Sequence, residues 1–184
     1  MHRVIVACLV VAGFLALHHL FAADNVAELK PGLLARIFDM GGEVTDFPTI
    51  PADKKPAVER VDSTVNVDAA GEKWPGTELD DHIYIRWTGV IRIAKAGQYR
   101  FFTISDDGSR LFIDGKLVVD NGGLHAAEEK DGTIELKEGD HELKLEFFEN
   151  EGEAVCKLYW QPPGVTDKEL VPASVLFHKP AAGK

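Results

Sequence analysis

The cleanest alternation of apolar and polar residues runs from His141 to Phe147, with Leu143, Leu145 and Phe147 interleaved by Glu142, Lys144 and Glu146. A period of two puts these two sets on opposite faces of a strand, one buried and one wet. Ile83 to Ile93 begins the same way through Ile83, Ile85 and Trp87, and Gly89 then suggests a bulge or bend in a long strand. Tyr99 to Ser105 is aromatic and β-branched, without Gly or Pro, and reads as a strand buried on at least one face. Asp106-Asp107-Gly108-Ser109 follows as a tight turn. Leu111 to Ile113 resumes the apolar run, Asp114-Gly115 is the two-residue signature of a type I′ hairpin, and Leu117 to Val119 is its returning strand. Two reversals so close together predict a meander of short antiparallel strands.

Leu33 to Phe38 reads as a first strand, Val61 to Val67 alternates weakly as a short edge strand, Thr133 to Leu136 is a short strand and Ala154 to Trp160 the last clear one, while Val171 to Leu176 is apolar enough to dock on the body of the fold. Between them, Asp39 to Pro56 is broken by Gly41, Gly42, Pro48, Pro51 and Pro56, and Gly71 to Asp81 and Gly122 to Asp131 also read as loops. Past the first segment, no stretch of about ten residues reads as an amphipathic helix, and turns recur at roughly eight to twelve residues. The pattern predicts an all-β protein, an antiparallel β-sandwich or barrel of short strands in a single domain.

The first segment is different. His2 and Arg3 precede an apolar run from Val4 to Leu17, and Leu20-Phe21-Ala22-Ala23 ends in small residues. The run is shorter than the roughly 20 residues of a membrane span, so residues 1–23 read as a secretory signal peptide, with an uncleaved anchor as the alternative. Residues 24–31 form a lead-in, 32–177 the β domain and 178–184 a flexible tail. Export makes the chain secreted, periplasmic or displayed at the cell surface.

Of the 184 residues, those after Ala23 carry 19 basic and 30 acidic side chains, a formal charge of −11. Such a surface repels nucleic-acid phosphates and anionic lipid and attracts cations, which argues against nucleic acid and membrane as partners. Cys156 is the only cysteine beyond the first segment, so stability rests on a packed core and not on an internal disulfide. Its phase with Leu158 and Trp160 marks a buried, inert thiol.

Candidate chemistry centres on Asp106-Asp107. Successive side chains of an extended strand point to opposite faces, so neighbouring carboxylates converge only if the backbone turns sharply, as a cis peptide allows. Held together they repel, and a divalent cation between them relieves that. The plainer reading is that both side chains hydrogen-bond the amides of the turn. Catalytic constellations are missing. Adjacent carboxylates do not flank a glycosidic bond, His82, His125 and His141 lack metal-ligand spacing, and Ser105, Ser109 and Ser174 lack a nucleophile elbow. The chain reads as a non-enzyme.

Several segments, in order, resemble the protective-antigen fourteen-kilodalton β-barrel domain family: G-L-L-A-R-I-F at Gly32 to Phe38, R-W-T-G at Arg86 to Gly89, A-G-Q-Y-R-F at Ala96 to Phe101, S-D-D-G-S-R-L-F-I-D-G-K-L-V-V-D-N at Ser105 to Asn121, F-F-E-N-E-G-E-A at Phe147 to Ala154, L-Y-W at Leu158 to Trp160 and V-P-A-S at Val171 to Ser174. The resemblance spans Lys30 to Phe177. It implies a β-sandwich or barrel that binds carbohydrate, as in adhesin lectins. It also implies Ca²⁺ held by Asp106 and Asp107 across a cis peptide, with Asn150 as the later-loop Asn and carbonyls from Glu151 to Glu153 completing the shell. The implied partners are glycans, with separately encoded exported proteins as partners if the domain is instead a protein-interaction or structural module without sugar binding. Asn121-Gly122-Gly123 stands where relatives often carry an aromatic residue, so one stacking platform for a sugar ring is lacking.

Overall fold

The computed structural model describes residues 28–69 and 72–180, and the expected signal peptide lies outside the described residues. Thirteen strands follow one another: Lys30–Pro31 (β1), Leu33–Asp39 (β2), Val58–Asp62 (β3), Asn66–Asp68 (β4), Ile83–Ile93 (β5), Gly97–Asp106 (β6), Ser109–Ile113 (β7), Lys116–Asn121 (β8), Glu128–Leu136 (β9), Gly139–Glu149 (β10), Val155–Gln161 (β11), Glu169–Leu170 (β12) and Leu176–His178 (β13). A 3₁₀ turn at Ala173–Val175 is the only helical element among the described residues. The strands build two antiparallel sheets. The larger runs β1-β13-β5-β10-β7-β8, with β2 and β3 added beside β5, and the smaller runs β12-β11-β6-β9, with β4 on β11.

The alternation read from the sequence becomes the inner face of each sheet. Ile83, Ile85, Trp87, Ile91 and Ile93 of β5 and Leu143, Leu145 and Phe147 of β10 are buried in one cluster with Tyr99 and Phe101 of β6 and Cys156, Leu158 and Trp160 of β11. Trp74, from the loop before β5, fills the space between Trp87 and Phe147, its ring 5.2 Å from that of Phe147. The Cys156 thiol is fully buried, and burial pushes its pKa upward.

Four local expectations change. The register of β5 on β10 runs unbroken from Ile83↔Glu149 to Ile93↔Gly139, so Gly89 makes no bulge. It is a close approach: a Cβ there would stand 2.2 Å from the Phe177 carbonyl oxygen and 2.7 Å from Leu33 Cδ2. Val61 to Val67 is not one edge strand, since β3 pairs with β2 in the large sheet and β4 with β11 in the small one. β9 begins at Glu128, inside the expected loop, because β6 supplies a backbone ladder from Ser105↔Glu128 onward to a strand whose exposed side chains give no apolar signal. His178, expected in a loose tail, ends β13, where it pairs with Lys30.

The predicted meander is corrected as well. β7 and β8 form the expected hairpin, with φ of 50° at Asp114 and 74° at Gly115. β6, however, belongs to the other sheet, so the Asp106-Asp107 turn carries the chain across the sandwich. β8 to β9 and β10 to β11 cross the same way. The irregular segment after β2 packs outside the large sheet, where Val44, Met40, Phe47 and Ile50 meet Phe38, Tyr84 and Phe148.

Candidate functional site

Hydrogen bonds tie the three crossings together at one end of the sandwich. The Asp106-Asp107 peptide is cis. Asp107 accepts on both carboxylate oxygens, from the His125 N–H at 2.9 Å in the β8–β9 connection and from the Asn150 N–H at 3.0 Å in the β10–β11 connection. Its own N–H donates to Glu149 Oε2 at 2.9 Å. Gly108 then passes so close to β10 that a Cβ would lie 2.4 Å from the Phe148 ring, and its carbonyl accepts the Phe148 N–H. Beneath the turn, Ser105 and Ser109 share a hydroxyl–hydroxyl hydrogen bond, and Asn121 Nδ2 donates to Ser105 Oγ and to the Glu128 carbonyl. These buried partners join β6, β7 and β8 at the crossing.

Three carboxylates meet there. One oxygen each from Asp106, Asp107 and Glu149 lies within 4.8 Å of the others. Ligands of one Ca²⁺ sit 2.3–2.6 Å from the ion, so any two are at most about 5 Å apart. The cluster meets that limit with hard oxygen donors only. None of the three enters an ion pair with Lys or Arg among the described residues. Burial, then the Asp107 charge, push Glu149 up to about 8, with Asp106 and Asp81 adding to the effect and the hydrogen bond from the Asp107 N–H opposing it. Burial and Asp107 also raise Asp106, with Glu153 contributing, against a backbone hydrogen bond from Ala127 and the nearby His125. Glu149 Oε1 is buried without a hydrogen-bond partner. This donor set fits a hard divalent cation.

The residues expected from the sequence are distributed unevenly. Asp106 and Asp107 stand at the centre of the cluster. Asn150 adjoins it by its backbone, while its side-chain oxygen accepts the Val44 N–H at 2.9 Å, and so pins the segment after β2 against the site. The Asn150 carbonyl accepts the His82 N–H. The Glu151 side chain is exposed and reaches His82 Nε2 at 3.5 Å, and Glu153 is exposed within electrostatic reach of Asp106. Glu149 was not anticipated as a site residue. Its signal is the odd-numbered row Leu143, Leu145, Phe147, which continues by one period onto Glu149 and turns a carboxylate toward the core side.

The PA14 domain family model matches residues 29–174. The chain belongs to the PA14 domain family. A curated relative, the anti-sigma-I factor RsgI3 of Acetivibrio thermocellus, is 32% identical over 120 residues, 64% of this chain and 18% of that protein. A solved anti-sigma factor domain-containing protein from Clostridium clariflavum is 30% identical with a TM-score of 0.69, over 84% of this chain and 49% of that one. The domain thus spans about half or less of these two relatives' length. The PA14 sugar-binding domain from an RTX adhesin superposes with a TM-score of 0.67 at 18% identity, over 80% of this chain and 98% of that one, a likeness of fold.

Proposed function

We propose that this PA14 domain is an exported, non-catalytic glycan-binding module whose site is the rim formed by the Asp106-Asp107 turn and the Asn150 to Glu153 loop. The observation that carries the reading is the convergence of three carboxylates, none of which forms an ion pair with Lys or Arg among the described residues. Ca²⁺ held by Asp106, Asp107 and Asn150, with carbonyls from Glu151 to Glu153, supplies the missing positive charge and offers coordination positions to the vicinal hydroxyls of a sugar. The protein's part is to fix the turn through His125, Asn150 and Glu149, so that the carboxylates are already in place. The sugar-binding name of the adhesin domain of the same fold supports the reading. Sugars are strongly hydrated, and a shallow site lacking an aromatic platform binds in the micromolar to millimolar range, roughly −8 to −4 kcal/mol. Useful adhesion then requires several copies on one surface.

The names of the anti-sigma factor relatives favour a second reading, an extracellular protein-interaction or structural module that works with separately encoded exported proteins and binds no sugar. A glycan array run with Ca²⁺ and with EDTA separates the two. Signals that vanish in EDTA and in Asp106→Ala support the glycan module, signals unchanged by EDTA refute an ion-mediated site, and no signal in either condition favours the interaction module.

A further inference from the structure

We infer that Glu149 is a third carboxylate ligand of the cation bound at the Asp106-Asp107 turn, through its Oε1 oxygen. The inference rests on the cation reading above and adds a ligand that the sequence did not suggest. It starts from a comparison within one strand. β10 carries two buried glutamates, Glu146 and Glu149, three residues apart and on opposite faces of the sheet. Glu146 faces outward and is fully served: Tyr84 Oη donates at 2.6 Å, Arg110 Nε at 2.7 Å, and Arg86 and Lys144 approach to 3.5 and 3.3 Å. Burial works against its charge, but these partners prevail and hold its carboxyl below the usual range.

Glu149 has the same burial and none of that support. One oxygen is fixed by the Asp107 N–H, the other is buried without a partner, and its charged neighbours are carboxylates. A buried carboxylate without a counter-charge is costly, and none of the ion pairs among the described residues includes Glu149. The Asp107 N–H holds Oε2 in place, Oε1 is left without a partner, and one carboxylate oxygen of Glu149 lies within the span that a single ion allows from one oxygen each of Asp106 and Asp107. The cation then joins the end of β10 to the β6–β7 crossing, two places 42 residues apart in sequence. Three anionic ligands favour Ca²⁺ over Mg²⁺, which keeps more of its water, and they leave one position fewer for sugar hydroxyls than an Asp-Asp-Asn shell does.

The test uses Ca²⁺ alone, titrated by calorimetry, and Tb³⁺ alone, whose luminescence decay in H₂O and D₂O counts the waters on the bound ion. The proteins are the wild type, Glu149→Gln, Glu149→Ala and Asp107→Asn. Glu149→Gln removes the carboxylate at nearly constant size and retains an oxygen to accept the Asp107 N–H. Glu149→Ala removes the ligand altogether. The expected result is that Glu149→Gln weakens Ca²⁺ by at least about tenfold and that Glu149→Ala carries one more Tb³⁺-bound water than the wild type. If Glu149→Ala fails to fold, the Ca²⁺ affinity of Glu149→Gln decides. Wild-type binding that is lost in Asp107→Asn, with affinity and water count unchanged in the Glu149 variants, overturns this inference and leaves the cation reading standing. Lower affinity in Glu149→Ala with an unchanged water count also overturns it, since the charge then acts from a distance. No binding of either ion by the wild type overturns the cation reading itself.

Discussion

Gly89→Ala tests whether the middle of β5 is a bulge or a crossing point. A Cβ at this position stands 2.2 Å from the Phe177 carbonyl oxygen, a backbone atom that no rotamer change can move. Restoring ordinary contact requires β13 to retreat by about 1 Å, roughly the difference between that separation and normal packing. β13 is held to β5 by only two residue pairs, Leu176↔Ile91 and Phe177↔Val90, and the Leu176 carbonyl also accepts the Gly32 N–H at 2.8 Å. Leu176 is fully buried. Partial exposure of a leucine side chain costs about 1 to 2 kcal/mol, and overpacking adds about 1 to 3 kcal/mol. Alanine recovers about 0.5 to 1 kcal/mol of backbone entropy, which leaves a net loss of about 1 to 4.5 kcal/mol. For a domain of this size the midpoint should fall by about 2 to 18 °C. Urea unfolding followed by tryptophan fluorescence measures the change, with Gly42→Ala as the control, because nothing lies within 4 Å of a Cβ there. A Gly89→Ala protein within about 0.5 kcal/mol of wild type would refute the close approach and restore the bulge.

Calcium at about 100 times its Kd should add about 2.7 kcal/mol to stability. EDTA should remove that increment from the wild type and have no effect on Asp107→Asn, so equal shifts in the two proteins would exclude the turn as the ion's site. Glu146→Ala leaves Arg110, Arg86 and the Tyr84 hydroxyl facing a void and should destabilise by about 3 to 5 kcal/mol in urea melts, whether or not Ca²⁺ is present. Burial opposes protonation of His141, but hydrogen bonds to Asp114 at 2.6 Å and to the Lys137 carbonyl, with the charges of Asp114 and Asp140, raise its pKa above the ordinary 6.5. Its folded pKa is therefore above the unfolded one, so its contribution is complete below pH 6.5 and is lost as pH rises through the folded value. Chemical denaturation across that window should show a decline that His141→Gln flattens, and an identical decline in the variant would refute the assignment. Cys156 should react with a thiol reagent only as fast as the domain unfolds, measured against urea concentration.

Local chemistry settled the parts of this protein that neighbouring residues can specify. The alternation of Leu143, Leu145 and Phe147 fixed which face of β10 is buried, because strand periodicity needs only adjacent residues. Asp114-Gly115 fixed a hairpin, because both positions must take positive φ. The Asp106-Asp107 pair marked the candidate site, because two adjacent carboxylates in a turn already demand either backbone donors or a cation, and the β8–β9 and β10–β11 connections supply donors to Asp107 through His125 and Asn150. Pairing partners were not legible in this way. The same apolar run of β6 suits a hairpin with β7 or a ladder in the opposite sheet, and burial of Phe101 between the sheets chose the second. β9 starts at Glu128 because β6 offers it a backbone ladder, a reason absent from its own polar side chains. Glu149 lies in phase with the core row, yet only the packed end of the sandwich decides that it is buried, that no Lys or Arg among the described residues pairs with it, and that Asp107, 42 residues earlier, lies beside it. Periodicity is a property of neighbouring residues, whereas the counter-charge of a buried group depends on which distant segments fold against it.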